Sequence, residues 1–142
     1  MIKQIAVFLE NKEGKASACC KLLKEAGVNL YAISIADTTD FGILRLITAD
    51  NALALSTLKG AGYIASEVEL VGIEVPDKAG ALADVLIALG EARVNVEYMY
   101  AFANGADASA VLKSDDPSKV VAILKENGFD VWEADEAYRA NC

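Results

Sequence analysis

The sequence contains no histidine, so the most common general base of enzymes is missing. It also lacks a glycine-rich phosphate-binding loop and a Cys or Ser nucleophile motif. These absences weigh against catalysis, and we predict that the protein is not an enzyme.

Cysteine is scarce as well, with three residues, of which Cys19 and Cys20 are adjacent. Neighbouring side chains of a helix point about 100° apart, so these two thiols do not converge on one partner. No CxxC spacing suggests a metal site. We therefore expect no disulfide framework, no metal and no cofactor, and we interpret both thiols as small apolar side chains.

The chain has no long apolar run, because charged or polar residues interrupt every stretch well before the roughly 18 residues that cross a bilayer. Residues Ile2 to Leu9 form a strand-like pattern and not the apolar core of a signal peptide. We expect a cytoplasmic protein without a membrane partner.

Positive charge is also limited, since the formal net charge is −8. Residues 1–67 carry 7 basic and 7 acidic side chains, whereas residues 68–142 carry 6 and 14. Neither half offers the basic face that phosphate contacts require, so nucleic-acid binding is disfavoured. The acidic stretch Glu133 to Glu136 is interpreted as solvated surface and not as a metal site.

What the sequence does contain is an internal repeat, which emerges when the chain is shifted by 66 residues so that Gly14 falls on Gly80. NKEG then falls on DKAG, GVN on RVN, and GY on GF. The loop at Thr38 to Asp40 needs a one-residue adjustment against Asn104 and Gly105. We predict two domains, residues 1–67 and 68–142, without a linker between them.

Each copy is predicted to run strand, helix, strand, strand, helix, strand. Apolar residues at helical spacing mark the first helix of each copy: Ala16, Cys19, Cys20 and Leu23, then Leu82, Val85, Leu86 and Leu89. Asp50 and Asp116 are expected to cap the second helices, which Gly62 and Gly128 end. This order predicts an α+β fold of two ferredoxin-like βαββαβ units in tandem, with antiparallel sheets and helices on one face.

The copies differ at the end of the first helix. Gly27 is placed to end it in the left-handed conformation, whereas Arg93 at the matching position must do so at a small cost or by another route. The repeat is therefore a diverged duplication.

The strand, the loop ending in glycine (NKEG, DKAG), the helix and the VN that opens the next strand resemble the ACT domain, in both copies. The resemblance implies a module that binds an amino acid and regulates a metabolic enzyme. In members that pair side by side, a polar residue three before the glycine and an asparagine opening the neighbour's second strand hold the ligand. Here these pairs are Asn11 with Asn95, and Asp77 with Asn29.

The residues expected to bind the ligand are Asn11, Lys12, Glu13, Gly14, Asn29, Leu30, Asp77, Lys78, Ala79, Gly80, Asn95 and Val96. The family pattern often has proline before the glycine, where this chain has Glu13 and Ala79. Apart from any resemblance, N–H groups at a helix start suit a carboxylate, and an asparagine amide both donates and accepts. Asp77 only accepts when ionised, so the two sites are expected to differ. Simple turn and cap roles are the alternative.

Other conspicuous residues have structural interpretations. The aromatic and sulfur side chains after each VN are interpreted as core or interface residues: Tyr31, Tyr98, Met99 and Tyr100. Arg45, on the third strand, is interpreted as a solvent-facing or interface residue.

We predict a free-standing regulatory or sensor protein that binds an amino acid where the two copies meet. The alternative is an interaction module without a ligand, which forms a homodimer or docks on a metabolic enzyme. Sheet residues that favour such association are Ala6, Phe8, Ile33 and Ile35.

Overall fold

The computed structural model describes residues 1–37, 40–104 and 107–132. Its elements are β1 (Ile2–Glu10), α1 (Lys15–Glu25), β2 (Leu30–Asp37), β3 (Phe41–Thr48), α2 (Asn51–Gly60), β4 (Ile64–Pro76), α3 (Ala81–Glu91), β5 (Val96–Asn104), β6 (Asp107–Ser114), α4 (Pro117–Glu126) and β7 (Asp130–Val131). The predicted order of strands and helices is confirmed in both copies. Thr38, Thr39, Gly105, the stretch Glu133 to Glu136 and Cys142 lie outside the described residues.

The chain divides into two compact units. The first unit comprises Lys3–Val68, and the second comprises Met1–Ile2 with the chain from Glu69 onward. The division falls inside β4, which continues unbroken from Ile64 to Pro76. No linker therefore separates the two units.

In the first unit the strands lie in the order β2-β3-β1-β4, with β1 and β2 antiparallel to β3. Ile5 lies opposite Leu46, and Val7 lies opposite Leu44. Residues opposite one another share a sheet face, and all four are completely buried. They form one core with buried residues of the two helices, Cys19 and Leu23 of α1, and Ala54 and Leu58 of α2.

The second unit has the order β5-β6-β4, and β7 also pairs with β4. Its core is built from residues at the matching positions of strands and helices: Val71, Ile73, Val75, Val85, Leu89, Ala110, Leu112, Val120 and Leu124. Leu86, one of the apolar residues that mark this helix by their spacing, is 41% exposed. It is turned about 100° from the buried Val85 along the helix, which places it on the flank of the apolar face.

The predicted helix ends are confirmed. The Asp50 carboxylate accepts a hydrogen bond from the Leu53 N–H at 3.0 Å, and the Asp116 carboxylate accepts one from the Lys119 N–H at 3.2 Å. At the end of the first helices, Gly27 has φ 78° and Arg93 has φ 58°. Arg93 thus adopts the left-handed conformation itself, which is the costly one of the two expected routes.

The exposed apolar residues of the first sheet lie on two faces. Phe8 pairs with Ile43 on the face opposite the helices and is 49% exposed. Ile33 and Ile35 pair with the buried Leu46 and Leu44, so they lie on the helix side of strand β2, 51% and 57% exposed. They do not form one apolar surface with Phe8.

Candidate functional site

The loop before α1 is held by backbone hydrogen bonds. The Asn11 N–H donates to the Asp40 carbonyl at 3.0 Å, and the Lys12 N–H donates to the Glu10 carbonyl at 2.9 Å. Gly14, at φ 77°, brings the chain into the helix without a side-chain cap. The first N–H groups of a helix have no intrahelical partner; the Lys15 N–H donates to the Lys12 carbonyl at 3.3 Å, and the remaining first-turn donors give this end a partial positive charge.

The loop before α3 repeats this geometry. The Lys78 N–H donates to the Pro76 carbonyl at 2.9 Å, as Lys12 does to Glu10. The Ala81 N–H donates to the Lys78 carbonyl at 3.3 Å, and Gly80 has φ 89°, again without a side-chain cap. Two sequences that share only lysine and glycine in this loop therefore adopt one backbone conformation.

The two loops differ in charge. In the first, the Lys12 ammonium lies 3.2 Å from the Glu10 carboxylate, and this hydrogen bond lowers the pKa of Glu10, with smaller contributions from the charges of Lys12 and Lys15. In the second, Pro76 replaces Glu10, and Asp84 stands in the first turn of α3. The second helix start is thus already flanked by a carboxylate, which competes with an anionic ligand.

The two asparagines predicted from the VN motifs are exposed and immediately precede the edge strands β2 and β5. A register shift of the kind that a β-bulge produces follows in both units, between Leu30 and Ala32 and between Val96 and Tyr98. Bulges redirect side chains and are frequent beside functional sites. The sequence analysis missed them, because period-two alternation does not show an extra residue.

A cleft of about 420 Å³ contains the first asparagine. Its lining residues are Cys20, Lys24, Gly27, Val28, Asn29 and Leu30. Burial raises the pKa of the Cys20 thiol, so it remains protonated and uncharged at neutral pH. The side chains that bring charge and hydrogen bonding to this cleft are therefore Lys24 and Asn29.

Within one unit the loop and the asparagine do not meet. Asn11 and Asn29 lie beyond opposite ends of α1, which has 11 residues, and at 1.5 Å per residue such a helix is about 16 Å long. Asp77 and Asn95 are separated in the same way by α3. A small ligand therefore contacts either the loop or the asparagine of a given unit.

A second pair of clefts was not predicted. Each lies between the end of the first strand, the start of the first helix and the turn after the second helix, with volumes of about 270 Å³ and 340 Å³. Leu9 and Tyr63 line the first, and Val75 and Phe129 line the second at matching positions. The recurring GY and GF pairs were the available signal, but they were read only as helix ends.

The remaining sequence interpretations concern residues outside these clefts or at their edges. Cys19 is completely buried in the first core, and its pKa is raised to about 11 by burial and by Cys20. Arg45 is half-buried and lies opposite Ala6 and Ser34 on the face away from the helices. Tyr31, Tyr98, Met99 and Tyr100 are half-buried.

Two general properties follow from the described part of the chain. No group of three His, Cys, Asp or Glu side chains is arranged there to hold a metal ion. None of its helices is both long and apolar enough to traverse a bilayer.

Fold and loops together define a tandem pair of ferredoxin-like domains. The family model described as an ACT domain pair matches residues 1–139, and the chain belongs to this family. The resemblance inferred from the motifs is thereby confirmed, and the regulatory character of the domain type with it.

Solved structures extend the comparison. Protein BT0572 from Bacteroides thetaiotaomicron is 38% identical with a TM-score of 0.90, over 97% of this chain and 96% of that one. The ligand-free regulatory subunit of aspartate kinase from Thermus thermophilus shares the fold, with 12% identity and a TM-score of 0.63 over 89% of this chain and 92% of that one. A search of curated proteins found no match.

Proposed function

We propose that this chain is a regulatory protein whose two ACT domains, residues 1–67 and 68–142, bind an amino acid and catalyse no reaction. The observation that carries the proposal is the repeated helix start, where Gly14 and Gly80 have the same left-handed conformation and the loops the same hydrogen bonds. A duplicated chain that retains this backbone while changing most loop side chains retains a set of donors for one kind of ligand.

The chemistry of the loops suits the two charged groups of an amino acid. The Lys15 and Ala81 N–H groups already donate to the Lys12 and Lys78 carbonyls, so the next N–H groups of each first turn would take the carboxylate. Asn11 offers an amide that both donates and accepts, whereas an ionised Asp77 would accept only from the ammonium group. We therefore propose two sites of unequal affinity.

The strand-start asparagines complete each site in this proposal. A single unit separates its loop from its asparagine by the length of a helix, and the proposal follows the family resemblance, in which the loop and the asparagine come from different domains. The proposed pairs are Asn11 with Asn95, and Asp77 with Asn29. The neighbouring Leu30 and Val96 would contribute backbone groups beside the bulges.

Regulation requires that the ligand bind two states of the protein with different affinity. The fold is shared with a regulatory subunit of aspartate kinase, which supports a role as a regulatory partner of an enzyme. We propose that the amino acid controls assembly, either of this chain with a metabolic enzyme or with a second copy of itself in the cytoplasm.

Thermal unfolding in the presence of each of the twenty amino acids tests this function. A ligand at about 100 times its dissociation constant adds about 2.7 kcal/mol to the free energy of unfolding, which raises the midpoint by several degrees. Asn29→Ala and Asn95→Ala should each weaken binding, whereas Asn127→Ala, at the end of α4, should not. If no amino acid moves the midpoint, the proposal is wrong.

A second candidate function, association without a ligand, is favoured by exposed apolar side chains of the first unit. Ile33 and Ile35 are more than half exposed on an edge strand, which presents unpaired backbone groups to another chain. Ile35→Lys should then convert a dimer to a monomer in sedimentation analysis. A concentration-independent monomer in the unsubstituted protein would eliminate the homodimer.

A further inference from the structure

At the end of their first helices, the two units have a glycine and a basic residue in opposite order. The first unit has Lys24 and Gly27, and the second has Gly90 and Arg93 at the corresponding positions. The backbone is unchanged, because the Gly27 N–H donates to the Lys24 carbonyl at 3.0 Å and the Arg93 N–H donates to the Gly90 carbonyl at 3.0 Å. Each unit thus places one cation near the end of its first helix, Lys24 five residues and Arg93 two residues before the strand-start asparagine.

The arrangement in the second unit is locally unfavourable at both positions. Gly90 lies inside α3, where glycine disfavours the helix, and a Cβ there would meet no atom within 4 Å. Arg93 occupies the left-handed region, at φ 58°, that Gly27 occupies without strain. Packing therefore explains neither residue, and locally unfavourable choices of this kind are concentrated at functional sites.

A purely structural role accounts for the position of Lys24 but not for that of Arg93. A basic residue in the last turn stabilises a helix, and α1, α2 and α4 each have one, whereas α3 does not. A lysine at residue 90 would supply that charge without a strained backbone. The placement of the charge at Arg93, two residues before Asn95, needs another reason.

Both cations are available to a ligand. Across residues 1–37, 40–104 and 107–132, no ion pair or side-chain hydrogen bond involves Lys24 or Arg93. Glu25, next to Lys24, is 3.9 Å from Lys21. In the first unit Lys24 shares the cleft of about 420 Å³ with Asn29 and the uncharged Cys20 thiol.

We propose that Lys24 and Arg93 are ligand-binding residues, each of which pairs with an anionic group held beside Asn29 or Asn95. This inference rests on the proposed function, in which the α-carboxylate lies at the helix-start loop. The group beside the asparagine is then a second acid, so the preferred ligand is a dicarboxylic amino acid. An ammonium or guanidinium paired with a carboxylate forms a strong, charge-assisted hydrogen bond.

The experiment compares aspartate with asparagine and glutamate with glutamine, by calorimetry on the full chain. At least one acid should bind about tenfold or more tightly than its amide. The double variant Lys24→Gln/Arg93→Gln should lose this preference and bind acid and amide alike. Lys21→Gln is the matched control, because Lys21 lies on the same helix, and it should leave the preference intact.

Arg93→Gly gives an independent readout. Removing the left-handed arginine should raise the melting temperature of the ligand-free protein while weakening acid binding, whereas a purely structural cation would lower the melting temperature and leave binding unchanged. An amide that binds as tightly as its acid, or a double variant that retains the preference, overturns this inference while leaving the proposed function in place. Absence of binding by every amino acid overturns both.

Discussion

The first and second units enter their first helix with the same hydrogen bonds but with different charges. Glu10, Lys12 and Lys15 surround the first helix start, and Lys78 with Asp84 surrounds the second. The fold determines the backbone of the loop in both, while the side chains are free to diverge. If the proposed function is correct, the differences between the units report on ligand chemistry more directly than their shared geometry does.

The largest effects should come from the equivalent core leucines, Leu23 and Leu89, which are completely buried in their respective units. Each change to alanine leaves a cavity and should cost about 2 to 5 kcal/mol of the free energy of unfolding. Urea denaturation of both variants would show whether a cavity lowers the free energy of unfolding equally in the two units. Leu86→Ala, at a 41% exposed position, should cost less, and a cost equal to that of Leu89→Ala would contradict the described core.

An exchange of residues at the left-handed position should have opposite signs in the two units. Gly27→Arg introduces strain and should destabilise the chain by about 1 to 2 kcal/mol, whereas Arg93→Gly relieves it. Thermal unfolding without ligand measures both. If both changes stabilise the chain, or if neither does, the backbone φ angle does not determine stability at these two positions.

The helix caps should be nearly equivalent. Asp50→Ala and Asp116→Ala each remove an acceptor for one backbone N–H and should cost about 1 kcal/mol. Their bonds of 3.0 Å and 3.2 Å are alike, so chemical denaturation should give similar losses. A loss confined to one variant would indicate that the other helix start is held by different contacts.

The smallest effect concerns Glu10 and Lys12, a pair present only in the first unit. Because Lys12 lowers the pKa of Glu10, the pair stabilises the fold above the unfolded pKa, and this contribution disappears as pH falls through the folded pKa. Lys12→Ala should return the Glu10 pKa toward its ordinary value in an NMR titration, and added salt should weaken the shift. An unchanged pKa would mean that Lys12 is not its cause.

Local features were predictable from the sequence, since short-range chemistry determines them. Asp50 caps its helix through a hydrogen bond to Leu53, three residues further along the chain, and Gly14 adopts the left-handed conformation directly before its helix. The repeat and its helix ends could therefore be predicted from residue patterns. The ACT family could likewise be inferred from motifs that occur twice. The individual ligand contacts of these motifs stay predictions.

Features that join distant segments were not predictable. The Asn51 amide donates to the Lys3 carbonyl at 3.0 Å and to the Glu67 carboxylate at 3.1 Å, across 48 and 16 residues. The clefts beside Tyr63 and Phe129 also combine strand ends and helix starts from distant positions. The placement of Phe8 and Ile33 on opposite faces depends on strand register and on the bulge after Leu30, which alternation alone does not show.

The unbroken strand β4 has a practical consequence for dissecting the protein. A cut at residue 68 severs a strand instead of a surface loop, and the second unit also includes Met1 and Ile2. A fragment that begins at residue 68 would lose Ile2, whose side chain occupies the space beside Gly72 where a Cβ would otherwise lie. Proteases that require an extended, accessible segment should therefore spare this junction. Each separately expressed half would contain only part of β4.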